Sequence, residues 1–523
     1  MGHADYVLLN GRIFTMNPVQ HQAEAVAIRD GRFVAVGSDK EILSYVDQDT
    51  EVLDLDNRAV VPGFIDSHVH GTSLGRSTSQ INLRVVKSII EIRKRIMQRV
   101  RLVPKGDWII GRGWDQDKLI ECRYPSRDDL DTAAPENPVL LLRVCGHLAV
   151  VNSAALKLAG ITKNTDEPQG GYIEKDPRTG EPNGVLRENS LRLVFDVLPE
   201  STEKSLENTC LLACRKMVEQ GITTAHWVVN SAREIRLLQA LHARGLLPLR
   251  IYLLIPTECM KALIDTGLTT GFGDDRLKIG AIKIMMDGSL GARTAALRQP
   301  YNDDPETHGM LLHSKLKLKR FVEEAHKAGL QLAIHTIGDR TVQLTLDVLE
   351  EVLSKYPRRD HRHRLEHASV LDAELIREMK EVGVIASVQP HFIVSDVWIN
   401  RRLGAERTRW TYSFRSLLKA GITAIAGSDA PVEPASPLLG IYAAVTRETV
   451  PQERLSMDEA LSLYTATGAH GSFEEDVKGT IEKGKLADLV VLSRDPYEVS
   501  PQQIKEIQVE LTIVGGRVVY ARK

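Results

Sequence analysis

The stretch VVPGFIDSHVH, residues 60–70, decides the fold of this chain. A short apolar run that ends in polar residues is typical of a buried parallel strand, and in a barrel such strand ends carry the functional groups. In an extended segment His68 and His70, two residues apart, point the same way, so one metal ion could take both imidazoles. A polar strand end can also be purely structural, so this pair becomes informative only through its context.

The segments that follow repeat the pattern of a short apolar strand and a helix. Helical patterns with Lys or Arg on the wet face, such as residues 319–329 and 371–383, separate most of the strands. This alternation predicts parallel βα units, and eight strands are enough to close a barrel. We therefore expect an α/β protein built on a (β/α)8 TIM-like barrel. The predicted strands are VVPGFID, ITTAHWV, LRIYLLI, LKIGAIKIMM, LQLAIH, HRLEH, GVIASV and ITAIAG.

Both ends of the chain show short strands and turns instead. Asn10-Gly11 and Asp30-Gly31 lie between apolar runs near the N-terminus, and Gly515-Gly516 does so near the C-terminus. These dipeptides favour β-hairpins because they tolerate positive φ. Since the termini of compact structures often lie close together, we expect one small β-sandwich domain made of residues 1–59 and 471–523. The barrel, residues 60–470, would then be inserted between its two parts.

The connection between the first and second predicted barrel strands is unusually long, from Gly71 to about Gly221. A segment of that length needs structure of its own. Its Pro- and Gly-rich middle, residues 166–184, is typical of loop and hairpin. We expect a cap, residues 72–200 approximately, that lies over the barrel mouth.

Composition narrows the choice of partner and compartment. A net charge of -2 offers no global attraction to nucleic acid or anionic lipid, so we expect a small-molecule substrate, no nucleic acid and no membrane. The sequence shows neither a signal peptide nor a run of about 18 apolar residues. The 5 cysteines form no CxxC pair, which disfavours a disulfide framework and a thiolate zinc site. We expect a cytoplasmic protein that forms a homodimer.

Three later strands also end in a residue that commonly binds metals. His335 ends the fifth predicted strand, His367 the sixth and Asp429 the eighth. Each of them alone could be a capping residue at the start of a loop. Four histidines and one aspartate at one edge of a barrel are hard to explain in that way. Imidazole nitrogens with a carboxylate suit zinc, with iron or manganese as alternatives.

Lys283 lies in the apolar fourth strand, where burial lowers the pKa of an ammonium group. A neutral amine can capture carbon dioxide and become a carbamate, whose two oxygens can bridge two metal ions. The alternatives are a strand lysine paired with Asp287 and a lysine that holds a substrate carboxylate. Spacing alone leaves these interpretations open.

Several motifs together resemble the amidohydrolase superfamily. They include HVH after PGFID, the strand lysine, the later strand-end histidines and aspartate, and GTIEKGKLADLVVL near the C-terminus. GRGWDQ, GHLAVVNSAAL, GVLRE, KIMMDGSLGARTAAL, HTIGDR and RLEHASVL are similar to the branch that contains N-substituted formamide deformylase and YtcJ-like proteins. The resemblance covers nearly the whole chain. Its motifs are specific for family and fold, and less so for substrate.

The resemblance implies a hydrolase with one or two divalent metals. The implied ligands are His68, His70, His335, His367 and Asp429, with Lys283 as a carboxylated sixth. The leading expectation is hydrolysis of a non-peptide amide or N-substituted formamide by a metal-activated water. Alternatives are ring deamination, lactone hydrolysis or cyclic-ureide opening, and last a non-catalytic metal-binding protein.

Further residues are candidates for catalysis and substrate binding. Asp429 could take the proton of the attacking water and pass it to the leaving nitrogen, and His147 could bind the oxyanion or order a loop. Trp114 could form a pocket wall or the cap core, and Arg293 could hold an anion or form a salt bridge. His226, at the end of the second strand, and His391, after the seventh, are the remaining substrate-binding candidates.

Overall fold

The computed structural model describes residues 3–199 and 202–523 of the chain. Its first segment forms β1 (Tyr6–Leu9), β2 (Arg12–Phe14), β3 (Gln22–Ala23), β4 (Ala25–Arg29), β5 (Arg32–Gly37), α1 (Asp39–Ile42), β6 (Glu51–Asp54) and β7 (Ala59–Pro62). The hairpin predicted at Asp30-Gly31 is present, because β4 pairs with β5 in antiparallel register.

The hairpin predicted at Asn10-Gly11 is wrong. β1 pairs with β4 and β6, whereas β2 pairs with β3 and β7 in a second sheet. The turn therefore carries the chain from one sheet to another. Leu8 before it and Ile13 after it both lie in the apolar core that the two sheets share, which explains why the strands separate.

The apolar run that opens the barrel is split between two sheets at Gly63. β7 belongs to the terminal sheets, and β8 (Phe64–Val69) is the first barrel strand. A Cβ atom at Gly63 would lie 2.2 Å from Oγ1 of Thr223, so no larger residue fits this crossing. The single predicted strand VVPGFID is thus two strands.

The insertion after β8 has a sheet of its own. Its elements are α2 (Gly71–Ser77), β9 (Ile81–Asn82), α3 (Ile89–Val100), β10 (Ile109–Trp114), α4 (Arg127–Asp131), β11 (Val139–Arg143), β12 (Leu148–Val151), α5 (Ser153–Leu158), β13 (Gly171–Lys175), β14 (Pro182–Glu188) and α6 (Arg192–Phe195). The 6 strands are ordered β13-β14-β12-β11-β10-β9, with an apolar cluster on each face. We name this unit the cap. Its predicted end, at about residue 200, lies outside the described residues.

The barrel is a sheet of 8 parallel strands in chain order, which confirms the predicted fold class. The remaining elements are α7 (Glu203–Val218), β15 (Ile222–Val228), α8 (Ala232–Ala243), β16 (Arg250–Pro256), α9 (Thr257–Asp265), β17 (Leu277–Met285), α10 (Lys315–Lys327), β18 (Gln331–Thr336), α11 (Asp339–Lys355), β19 (Arg364–His367), α12 (Ala373–Val382), β20 (Ile385–Val388), α13 (Phe392–Ser395), α14 (Ile399–Thr408), α15 (Phe414–Lys419), β21 (Ala424–Ala426), α16 (Pro437–Thr446), α17 (Met457–Leu463) and α18 (Ala466–His470).

Hydrogen bonds join the first barrel strand to the segment after the last one. The carboxylate of Asp66 accepts from the backbone N–H of Ser428 at 2.9 Å and from its hydroxyl at 2.6 Å. The backbone N–H of Asp429 donates to the carbonyl of His68 at 2.7 Å. These bonds bring residues from opposite ends of the barrel sequence to one point.

The C-terminal strands return to the N-terminal ones. They are β22 (Leu489–Leu492), β23 (Val509–Val514) and β24 (Arg517–Ala521). β22 pairs with β7, and β23 forms the predicted hairpin with β24 at Gly515-Gly516. Two sheets of 4 and 6 strands result, with a core shared between them. The residue limits of the domains stay a prediction.

No helix within the described ranges is both long and apolar enough to cross a membrane.

Three buried histidines form a hydrogen-bonded group at the start of β19. Nδ1 of His326 lies 2.9 Å from Nε2 of His363, and the backbone N–H of His363 donates to Nδ1 of His361 at 3.0 Å. Burial lowers the pKa of all three, with the nearby Arg358 acting in the same direction and Asp360 raising that of His361. The group is therefore neutral in the folded protein at neutral pH.

We predict that this group makes the fold sensitive to acid. The unfolded chain binds protons at the ordinary imidazole pKa of about 6.5 while the folded chain does not, so stability falls as the pH drops below that value. His363→Asn keeps a hydrogen-bond acceptor but cannot titrate. It should therefore show a smaller fall in Tm between pH 7.5 and pH 5.5 than the wild type. The largest difference expected is that of one proton, which changes the free energy of unfolding by about 1.4 kcal/mol per pH unit.

Thermal melting of both proteins at several pH values measures this difference. His21→Asn, at an exposed position of the N-terminal segment, is the control and should leave the pH dependence unchanged. An identical pH dependence in wild type and His363→Asn would contradict the interpretation.

Candidate active site at the barrel mouth

Two histidines and one aspartate converge where the first and last barrel strands meet. Ligand atoms of His68, His70 and Asp429 all lie within 4.8 Å of one another. Oδ1 of Asp429 is 3.2 Å from Nε2 of His70 and 3.6 Å from Nε2 of His68. Asp429 has a φ of 55°, a backbone strain of the kind that accumulates at functional sites.

The chemistry of this group fits a divalent metal. Oδ1 of Asp429 is buried and has no hydrogen-bond partner, although two imidazole nitrogens lie close to it. Burial, with the charge of Lys283, lowers the pKa of His68 to about 4, so its imidazole is neutral, which is the form that binds metals. A buried carboxylate oxygen that accepts no hydrogen bond is costly unless a cation satisfies it.

His367 and His335 continue a row of imidazoles away from this group. The ring of His367 lies 5.1 Å from that of His68 and 4.4 Å from that of His335, measured between centroids. Burial lowers the pKa of His367 to about 3 and that of His335 well below its usual value. Nε2 of His335 lies 3.1 Å from the carbonyl oxygen of Gly288. Both predicted ligands thus line the same site, although neither belongs to the tight group of His68, His70 and Asp429.

Lys283 lies next to His68 in the site. Its Nζ is 3.4 Å from Nε2 of His68, and burial lowers its pKa to about 8. Asp287, the alternative partner considered above, instead accepts hydrogen bonds from the backbone of Ile337 and Gly338 and from Thr341. The described part of the chain contains no carboxylate paired with the Lys283 amine at ion-pair distance.

Two supporting residues were missed by the sequence analysis. Glu366 accepts a hydrogen bond from Nδ1 of His68 and pairs with the buried Arg364 at 2.7 Å. Oε1 of Gln389 lies 2.6 Å from Nδ1 of His367. Acceptors on Nδ1 fix the ring so that Nε2 is free to bind, an arrangement common around metal-ligating histidines. Strand alternation was the available signal for Glu366, because it places Arg364 and Glu366 on the same face.

The site opens into a cavity of about 350 Å³ between the barrel and the cap. The cap supplies His147, whose Nδ1 lies 2.8 Å from Oε2 of Glu188. Burial alone would lower the pKa of His147, but its pairing with Glu188 raises it to about 9. His391 also lines the cavity and pairs with Glu433. Apolar and aromatic residues form much of the wall, among them Val144, Leu290, Ile337, Phe392, Trp398 and Tyr412.

Three predicted substrate contacts lie elsewhere. Trp114 is fully buried in the cap core, where its indole N–H donates to the carbonyl of Leu141 at 3.0 Å. His226 lies inside the barrel, since β15 continues for two residues beyond it, and its Nδ1 accepts from Arg364 at 2.8 Å. Arg293 forms the salt bridge considered as its alternative, 2.9 Å from Asp303. None of the three side chains lines the cavity, so none is placed to contact a substrate bound there.

The barrel of parallel strands, with a His and Asp group at its strand ends, places this chain in the class of (β/α)8 barrel proteins that carry a site at the barrel mouth. The family model described as "Amidohydrolase family" matches residues 51–520. The chain belongs to this amidohydrolase family, as its motifs predict.

Individual relatives agree with this assignment over nearly their full lengths. The chain is 35% identical to "Putative amidohydrolase YtcJ" of Bacillus subtilis, with 98% of each chain covered. It is 31% identical to "N-substituted formamide deformylase" of Arthrobacter pascens, over 99% of this chain and 98% of the relative. A crystal structure described as an uncharacterized metal-dependent hydrolase from Pyrococcus horikoshii superimposes with a TM-score of 0.78 at 33% identity, covering 95% of this chain and 99% of the other.

Proposed function

We propose that the protein is a metal-dependent amidohydrolase that cleaves a non-peptide amide or an N-substituted formamide. The observation that carries this proposal is the convergence of His68, His70 and Asp429 beside a cavity, with a buried Oδ1 of Asp429 that accepts no hydrogen bond. The relative named for deformylation of N-substituted formamides supports the choice of bond.

Five side chains at the barrel mouth are the proposed metal ligands. His68, His70, His335, His367 and Asp429 would hold one or two divalent metals, with zinc as the first expectation and iron or manganese as alternatives. A bound metal polarises the carbonyl group and lowers the pKa of water, so that hydroxide is available at neutral pH.

Two side chains would handle protons and charge. Asp429 would accept the proton of the attacking water at a carboxylate oxygen and deliver it to the leaving nitrogen. His147 would donate a hydrogen bond from Nε2 to the carbonyl oxygen as negative charge develops on it.

Lys283 is proposed to carry a carboxyl group on Nζ. Its buried amine has a lowered pKa and lies next to His68, so the neutral form can react with carbon dioxide, releasing a proton and leaving a carbamate. We predict that Lys283→Ala loses bound metal and activity, and that small carboxylic acids restore part of both. Metal analysis and assays with added acetate or propionate measure this. Full metal content in Lys283→Ala would refute the carbamate.

We predict that turnover depends on a divalent metal. Prolonged chelation should abolish hydrolysis of a panel of N-formyl and N-acyl amines, and zinc or manganese should restore it, because the donor group of His68, His70 and Asp429 would hold the metal that activates water. Lactones, cyclic ureides and amino-substituted rings in the same panel test the alternative reactions. Full amide turnover by a preparation shown to be free of metal would rule the proposal out.

We predict that Asp429→Asn separates metal binding from proton transfer. The amide keeps the shape and one oxygen ligand but cannot take a proton, so kcat should fall by about 10² or more while fold and metal content survive. Steady-state kinetics, metal analysis and thermal melting measure these effects. Asp128→Asn, an exposed position in the cap, is the matched control. Near-normal kcat with metal in place would show that Asp429 is a ligand only.

A further inference from the structure

The motif GVLRE ends in Glu188, a residue to which the proposed function gives no role. Glu188 is the last residue of β14 in the cap, and it is 7% exposed. Its side chain does not line the cavity. It contacts His147, the cap residue that does.

Backbone pairing places Glu188 and His147 side by side. β12 and β14 are antiparallel neighbours, and the backbone N–H of Glu188 donates to the carbonyl of His147 at 3.0 Å. The φ of Glu188 is 52°, a positive value that a non-glycine residue rarely adopts unless its surroundings impose it. Glu188 has this conformation at the end of β14, where its side chain contacts His147.

Only one of the two carboxylate oxygens of Glu188 forms a hydrogen bond. Oε2 lies 2.8 Å from Nδ1 of His147, whereas Oε1 is buried without a hydrogen-bond partner. A buried carboxylate that is only partly satisfied destabilises a fold, so its presence indicates a role other than stability.

The barrel leaves space for this carboxylate at Gly288. A Cβ atom at Gly288 would lie 2.1 Å from Oε1 of Glu188 and 2.6 Å from Cβ of Thr294, so a larger residue there would displace both side chains. The carbonyl oxygen of the same glycine is 3.1 Å from Nε2 of His335, and the ring of His147 lies 5.3 Å from that of His335. Glu188, Gly288 and His335 therefore connect the cap to the row of site histidines.

We propose that Glu188 is a positioning residue whose carboxylate holds Nδ1 of His147, so that Nε2 of this cap histidine faces the reacting carbonyl group. The cap then completes the active site and does more than cover it. An acceptor on one ring nitrogen fixes the ring orientation and the role of the other nitrogen. This inference rests on the proposed function, since it assigns His147 to the carbonyl oxygen.

The test is a double-mutant cycle between the two residues. His147→Phe should lower kcat by roughly 10²–10³, the scale for removing one hydrogen-bond donor to a developing oxyanion. Glu188→Leu should lower kcat at least about tenfold with little change in KM, because the substrate touches His147 and not Glu188. In the His147→Phe background, Glu188→Leu should have no further effect on kcat.

Two more variants separate positioning from folding. Glu188→Gln keeps an oxygen acceptor for Nδ1, so it should retain more kcat than Glu188→Leu. Glu174→Leu removes another cap carboxylate, which pairs with Arg187 at 2.8 Å, and should leave kcat unchanged. Metal content and Tm of every variant are measured as readouts that do not depend on activity.

The outcomes distinguish this inference from the proposed function. If Glu188→Leu lowers kcat by the same factor with and without His147, the two residues act independently and the inference is wrong. A rise in KM at constant kcat would overturn it as well. If the wild type turns over lactones or rings but no amide, the proposed function fails, and the cycle is measured on the substrate that is turned over.

Discussion

The carboxylate of Asp66 is the contact on which the site depends. It accepts hydrogen bonds from the backbone and hydroxyl of Ser428 and from the backbone N–H of His68, and so ties the first barrel strand to the segment after the last. A buried carboxylate needs such partners, so the contact is restricted to one geometry. That geometry places Asp429 beside His68 and His70. A Cβ atom at Gly427 would lie 2.4 Å from the backbone nitrogen of His68, which shows how closely these segments approach.

The cap is held over this site by polar contacts with barrel loops. Arg402 from α14 donates to Asp117 of the cap at 2.6 Å, and Arg84 of the cap donates to the carbonyl of Val432 at 2.6 Å. Charged groups largely excluded from water hold each other more strongly than exposed pairs do. They hold the cap where His147 lies next to His335, so the cavity wall combines side chains from the cap and from the barrel.

Much of the fold could be predicted because hydrophobic periodicity is a local property. Each barrel strand is a short apolar run, and the polar residue that ends it marks the carboxyl edge, which is how His335, His367 and Asp429 were found. The wrong predictions concern residues whose local sequence pattern is compatible with two different structural environments. Trp114 suits a pocket wall and a core equally well. The turn at Asn10-Gly11 suits a hairpin, but its flanking strands bury side chains on facing sheets.

The sequence by itself determined the strands, the chain order of the barrel and the residue types at its mouth, because these depend on neighbours a few positions apart. Only the tertiary structure decided which of those residues meet. Glu366 reaches His68 across the barrel, and Gln389 reaches His367 from the position after the neighbouring strand β20. Glu188 reaches His147 between the antiparallel cap strands β14 and β12, and His226 turns inward to Arg364. Such pairings depend on the register and twist of strands distant in sequence, and hydrogen bonds form only over about 3 Å. Local patterns do not specify distances of that size.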